Sequence, residues 1–294
     1  MLPPLSIHSP GTLSEAVEIL NRWGSDAALY AGGTELIVLL KYRLATYEHL
    51  IDLKSIPELQ TIEVEDEHAS IGAVATYQQL RRHFDLRSKW GELVELVEQT
   101  ANPRVWAAGT LGGNLSFADP HSDPATLLIG WGAELELTGI DGTRRVPVED
   151  FIHGPMQTDL RHSEIVTRVI LARRQGRASS TGFRRFSTLE RPTANAAVNL
   201  QTDESGCVQR AAVVVGAVGP TPARVVDAEA LIAGAAVGEL AGRTDQLAGV
   251  VSERVEPIED NYGSVDYKRH LAGELTRRAL LDALAKLGDG GSYT

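Results

Sequence analysis

Thr110-Leu111-Gly112-Gly113-Asn114, read together with the earlier Ala31-Gly32-Gly33-Thr34-Glu35-Leu36, decides how this chain is organised. Each stretch is a Gly-Gly pair flanked by a hydroxyl residue. Glycine lets a backbone reach φ > 0 and lets a ligand approach where a Cβ would clash. Successive amides in such a turn form a concave nest for an anion. One such stretch is a common turn. Two of them, on different halves of one N-terminal region, suggest a clamp around a diphosphate.

Working outward from the first stretch, Leu5-Ser6-Ile7 reads as an opening strand. Thr12-Leu13-Ser14-Glu15 has the form of a capping box. Leu13, Ala16, Val17, Leu20 and Trp23 then recur at helical spacing. Ala27-Ala28-Leu29-Tyr30 is a short buried strand running into the Gly-Gly stretch, with a helix expected through Ile37 to Tyr42 and a strand at His49–Leu53. Pro57 marks a break. This predicts a small β-α-β-α-β unit.

Around the second stretch, Thr61–Val64 and Ala69–Ala73 alternate as a hairpin does. Thr76-Tyr77-Gln78-Gln79 is a second capping box, with Leu80 and Phe84 expected on the apolar face. A helix is predicted over Gly91–Ala101, with Leu93, Leu96 and Val97 inward. Asp123-Pro124 opens a further helix, because proline suits a first turn that needs no N–H. Glu134–Leu137, an Asp141-Gly142 turn and Arg145–Val148 make a hairpin. Ile165–Leu171 closes the unit as a strand. Arg173–Ser180 is polar and reads as a linker. Beyond it come strands near Thr181–Ser187, Ala194–Gln201 and Val208–Val218. Two or three helices follow, the last over Val265–Leu287, with a frayed tail from Gly288 to Thr294.

The formal net charge of −11 argues against nucleic acid, since no basic stripe is present to neutralise phosphates. A bound diphosphate would therefore rely on local backbone dipoles. No apolar run reaches membrane-span length, and no secretory leader is seen. The single cysteine, Cys207, cannot ligate an iron–sulfur cluster, which takes about four. It fits a reduced, cytoplasmic setting and reads as a buried structural thiol. There is no G-x-G-x-x-G, P-loop, zinc spacing or G-x-S-x-G elbow. Asp119-Pro120-His121-Ser122-Asp123 invites a metal reading, but no second set of ligands is evident, and His121 is expected at the surface.

AGGTEL (31–36) followed by IVLLKYRLATYEHLIDL (37–53), then GTLGGN (109–114) followed by DPHSDP (119–124), resembles the flavin-binding medium subunit of the molybdenum hydroxylases, the family of xanthine dehydrogenase and aerobic CO dehydrogenase. The resemblance runs from Ser6 to about Leu284. It implies an α+β fold: a two-part FAD-binding domain of the PCMH (vanillyl-alcohol oxidase-like) type, then a C-terminal α+β domain with a small antiparallel sheet and helices. The expected units are 1–57, 58–175 and 176–294.

The resemblance also implies FAD held by Leu29, Tyr30, Ala31, Gly32, Gly33, Thr34, Glu35 and Leu36 on the first stretch. Thr110, Leu111, Gly112, Gly113 and Asn114 would hold it on the second, with Asp123, Ile165 and Arg185 elsewhere. Relatives carry a small polar residue where Glu35 stands, so its carboxylate is expected to point away from the diphosphate. They carry lysine where Arg185 stands, which keeps the charge but not the geometry, and Gln-Ile-Arg where this chain has Arg104-Val105-Trp106. Asn114 is open to a second reading as a cap of its own turn, and Asp123 to one as a helix cap. Trp106 is open to a place near the flavin ring or to one in the core or an interface.

By the same resemblance the chain is an electron-transfer subunit. It would take electrons from [2Fe–2S] clusters on a small partner and pass them to an external acceptor. A large molybdopterin subunit would carry the hydroxylation, the whole forming a dimer of heterotrimers. A stand-alone FAD-dependent oxidase and a non-catalytic flavin-binding module are the alternatives.

Overall fold

The computed structural model describes residues 4–66, 68–172, 178–188 and 190–288. Three sheets organise it. The first is small and parallel. Strand β1 (Ser6–His8) and strand β2 (Ala27–Tyr30) flank β3 (His49–Asp52), giving the order β1-β3-β2. Helices α1 (Leu13–Trp23) and α2 (Leu36–Tyr42) make the crossovers. Thr12 caps α1 through its hydroxyl, as its spacing predicts. The Glu15 carboxylate, however, takes the amide of Gly11 instead of that of Thr12. Ala16, Val17, Leu20 and Ile51 form a core with Leu59, Val74 and Ile165 of the following segment, so the first two units share an apolar seam.

The second sheet is antiparallel, in the order β4-β5-β10-β6-β7. Its strands are β4 (Ile62–Val64), β5 (His68–Gly72), β6 (Glu134–Gly139), β7 (Gly142–Pro147) and β10 (Ile165–Ala172). Between β5 and β6 lie α3 (Tyr77–Arg82), α4 (Phe84–Lys89), α5 (Gly91–Gln99), α6 (Pro103–Ala108), α7 (Leu111–Phe117) and α8 (Asp123–Trp131). The Thr76–Gln79 capping box is complete. Phe84 departs from expectation: it is exposed instead of facing the core. His83 stops α3 and its Nδ1 accepts the Leu86 amide to start α4, which turns Phe84 outward and Leu86 inward. After β7 come the single turn α9 (Val148–Phe151) and a ribbon of β8 (Ile152–Gly154) and β9 (Gln157–Thr158).

The third sheet is antiparallel, ordered β11-β12-β13-β14. It comprises β11 (Ala178–Phe186), β12 (Ala194–Thr202), β13 (Val208–Gly216) and the short β14 (Ala223–Arg224). Of the expected linker, Ala178–Ser180 already belong to β11, while 173–177 lie outside the described residues. Four helices follow among the described residues where two or three were expected. They are α10 (Val226–Ile232), α11 (Val237–Leu240), α12 (Thr244–Arg254) and α13 (Val265–Gly288). The tail beyond Gly288 lies outside the described residues. Tyr267, Leu271, Leu275 and Leu280 recur at helical spacing along α13, and the three leucines pack into the core of this unit while Tyr267 is exposed. Cys207 is half-buried, less enclosed than its apolar neighbourhood predicts.

Helix α8 ties the halves together. Every one of its residues is buried, as an apolar helix between two layers must be. One side joins the core of the second sheet, and Ala197 and Val214 of the third sheet belong to that same cluster. Its polar groups find partners on β12: Thr126 Oγ1 donates to Asn195 Oδ1 at 2.8 Å, and Asn199 Nδ2 donates to the Gly130 carbonyl at 3.0 Å. The N-terminus of α8, with Asp123, is thereby fixed against the third sheet.

Candidate functional site

Strand β2 ends at Tyr30, and the chain then turns through Gly33 at φ +68° into α2. A side chain at Gly33 would be strained by that angle and would meet the Tyr30 ring at 2.1 Å. A Cβ at Gly32 would lie 2.1 Å from the Ala108 carbonyl oxygen, so the loop backbone is pressed against the end of α6. The amides of Gly32, Gly33, Thr34, Glu35 and Leu36 donate to no protein acceptor among the described residues. Amides left so at a helix start are able to donate to an anion.

The second Gly-Gly stretch is built differently. It is not a loop: Gly112 and Gly113 lie in the first turn of α7, and Thr110 is the N-cap. Thr110 Oγ1 accepts from the Gly113 amide at 3.1 Å, the Gly112 amide donates to the Ala73 carbonyl at 3.1 Å, and the Asn114 amide donates to the Thr110 carbonyl at 3.0 Å. Gly112 is glycine because its Cβ would fall 2.4 Å from that of Ala73. What this segment still offers is side-chain chemistry. Asn114 Oδ1 accepts from Ser122 Oγ at 2.7 Å, leaving Asn114 Nδ2 with no protein acceptor among the described residues.

The two stretches face each other. A Cβ placed on Gly113 would be 3.7 Å from that of Ala31. Between them runs a cleft of about 830 Å³, well within the range of small-molecule and cofactor sites. Of the residues expected to bind, Leu29, Ala31 to Leu36, Thr110, Gly112, Gly113, Asn114, Asp123 and Ile165 line it. Tyr30, Leu111 and Arg185 do not. The Tyr30 ring lies beneath Lys54, whose Nζ is 3.6 Å from its centroid, and Leu111 is fully buried in the core.

Arg185 reaches the site through Asp123. Its Nε is 3.3 Å from Asp123 Oδ2, while its two terminal nitrogens donate to the Gln99 and Glu190 carbonyls. Asp123 Oδ1 accepts from Asn195 Nδ2 at 2.8 Å. Arg185 and Asn195 are opposed on neighbouring strands β11 and β12, so one cross-strand pair holds both oxygens of the carboxylate. Burial pushes the Asp123 carboxyl above its ordinary range, and Arg185 and Asn195 draw it back in part.

The Glu35 carboxylate turns to Arg191, whose guanidinium donates to both oxygens at 3.0 and 3.1 Å and also pairs with Asp119. Burial, offset by Arg191, raises the Glu35 carboxyl above the usual range. His121 departs from its expected surface position. Its side chain is 13% exposed, wedged between the Pro192 carbonyl at 2.8 Å and Asp260 at 3.1 Å, because the third unit packs over it. The three side chains of the 119–123 stretch that suggested a metal thus turn to three different protein partners. Trp106 donates its indole N–H to the Thr100 carbonyl at 2.6 Å and lies under Arg81, away from the cleft lining.

Tyr77, Asn195 and Arg191 are the site residues that sequence reasoning missed. Asn195 had a signal, a polar residue inside an apolar strand, which demands a buried partner. Tyr77 had none, because it sat in a capping box whose reading ended with the cap. Its ring is 3% exposed, and its hydroxyl is buried with no hydrogen-bond partner among the described residues. Five open amides and one orphaned phenol in a cleft of this volume fit a phosphorylated, oxygen-rich cofactor such as FAD.

Comparison with known proteins bears on the same residues. Residues 3–173 match the family described as the FAD binding domain in molybdopterin dehydrogenase, and residues 183–283 match the CO dehydrogenase flavoprotein C-terminal domain. The carbon monoxide dehydrogenase medium chain of Hydrogenophaga pseudoflava is 32% identical over 97% of this chain and 99% of its own length. The nicotine 6-hydroxylase medium subunit of Paenarthrobacter nicotinovorans is 28% identical over 97% of this chain and 99% of its own. Among solved structures, carbon monoxide dehydrogenase from H. pseudoflava superposes with a TM-score of 0.91 at 32% identity, covering 97% of this chain and 99% of that one. Among the described residues no helix is long and apolar enough to cross a membrane. With its fold, its cleft and both family matches in agreement, the chain belongs to the FAD-binding medium subunits of the molybdenum hydroxylase family, as an oxidoreductase subunit whose cofactor is FAD.

Proposed function

We propose that this chain receives electrons from [2Fe–2S] clusters on a small partner subunit and delivers them to an external acceptor, while a large molybdopterin subunit carries out the hydroxylation. The observation that carries the reading is the row of unengaged amides from Gly32 to Leu36 facing the cleft. The chain's one cysteine cannot hold a cluster of its own. The names of the relatives, medium chain and medium subunit, describe proteins that work with companions.

In this reading the Gly32–Leu36 amides and the Thr34 hydroxyl bind the diphosphate. Asn114 Nδ2 and Asp123 bind farther along, and Leu29, Ala31 and Ile165 line the walls. Arg185 and Asn195 position Asp123 instead of touching the ligand. Bound there, FAD supplies the capacity to take up electrons singly and release them to another molecule. The chain's own groups bind and orient it, and no side chain is required as a general base. The residues divide into units 1–57, 58–175 and 176–294, a division that the three separate sheets support. A reduced cytoplasmic setting and a dimer of heterotrimers complete the proposal.

The test is purification of the native complex with its metals counted and its flavin spectrum followed under anaerobic substrate. Bleaching should require the cluster-bearing companion. Bleaching of this chain alone by a substrate would identify a stand-alone oxidase. A native complex that stays colourless after soaking in FAD would end the flavin reading altogether.

A further inference from the structure

We infer that the Tyr77 hydroxyl is a binding donor for FAD. This rests on the assignment of FAD to the cleft. Tyr77 lines that cleft, its hydroxyl is buried, and no protein group among the described residues accepts its proton. A buried hydroxyl left unpaired destabilises a fold, so its persistence calls for an acceptor that the protein does not provide.

The phenol stays protonated: burial raises it first, and the charges of Asp123 and Glu35 add to the effect. It is thus a permanent neutral donor that an oxygen or nitrogen acceptor of the cofactor would satisfy. The ring is held in place without any help from the hydroxyl. Tyr77 is the first residue of α3, fixed by the Thr76–Gln79 capping box, and its amide donates to the Gly109 carbonyl at 2.9 Å.

Tyr77→Phe removes the donor and keeps the ring, and it is compared with wild type on the full chain together with whatever subunits co-purify. Two readouts should move in opposite senses. The cofactor-free protein should melt about 1–2 °C higher, because an unpaired polar atom has been taken out of the interior. The dissociation constant for FAD, followed by flavin fluorescence, should rise about tenfold. An unchanged FAD constant in Tyr77→Phe overturns the inference. A wild-type protein that does not bind FAD would instead sink the flavin reading on which the inference stands.

Discussion

At Gly32-Gly33 the chain leaves a strand with five consecutive amides engaged by no acceptor among the described residues; at Gly112-Gly113 it is already inside a helix, and the amides of Gly112, Gly113 and Asn114 all have protein acceptors. The dipeptide is the same and the reasons for it differ. Gly33 is glycine because its φ is +68°. Gly112 is glycine because Ala73 lies against it. One segment leaves its backbone amides open along the cleft. The other brings a helix close enough to a strand turn for Asn114 and, beyond it, Asp123 to line the opposite wall. A Gly-Gly pair in a binding motif therefore marks close approach of backbone, but not which partner approaches.

The sharpest way to break this comparison is to put a methyl group on each segment. Gly33→Ala forces a left-handed residue and drives a Cβ into the Tyr30 ring. It should cost about 2–3 kcal/mol of stability and most of the FAD affinity. In Gly113→Ala the backbone is helical, so alanine gains helix propensity while crowding the Thr110 hydroxyl at 2.7 Å. Those effects oppose each other and should leave stability within about 1 kcal/mol of wild type. Thermal melts and FAD titrations of the two variants check this, and equal losses in both would erase the distinction.

A pair of threonines sharpens it further. Thr110 caps α7 through its Oγ1, whereas the Thr34 hydroxyl has no protein partner among the described residues. Thr110→Ala should therefore lower stability by about 1 kcal/mol, the usual cost of losing a cap. Thr34→Ala should leave the melting temperature of the cofactor-free protein unchanged and weaken FAD several-fold, the value of one neutral hydrogen bond. A stability loss in Thr34→Ala would show that its hydroxyl serves the fold instead of the ligand.

How much of the molecule is legible in its sequence depends on the range of the interaction. The Thr76–Gln79 box, the Asp123-Pro124 helix start and the strands at Ala194 and Val208 are written in contiguous residues, and the structure has them. The helical state of Leu111–Phe117 was hidden because glycine is a poor helix former. Tertiary contact with Ala73 overrides that propensity, and nothing near Gly112 in sequence announces Ala73. Asn195 holding Asp123, Arg191 reaching Glu35 and His121 joining Asp260 span 72, 156 and 139 residues respectively. Each side chain was visible as a polar residue, but its partner was fixed only when the third unit packed over α8.

The smallest expected effect concerns the one charge on the first segment that opposes its ligand. Glu35 stands among the open amides, and its carboxyl is raised from the ordinary 4.5 mainly by burial, with Arg191 pulling it down and Asp119 pushing it up. A raised pKa in the folded protein means that the group's contribution to stability is present below 4.5 and is lost as pH climbs through the raised value. The same protonation governs the ligand. Below the raised value Glu35 is neutral and leaves the diphosphate undisturbed; above it the carboxylate repels the anion, and Arg191 offsets only part of the repulsion. FAD affinity in wild type should therefore fall as pH rises through that window. Glu35→Gln should flatten the profile and, at neutral pH, tighten FAD by about threefold to fivefold, as expected for one charge interacting across a partly hydrated cleft. A profile that keeps its slope in Glu35→Gln would transfer the titration to Asp123 and place the charge sensitivity on the far wall, reversing the roles of the two segments.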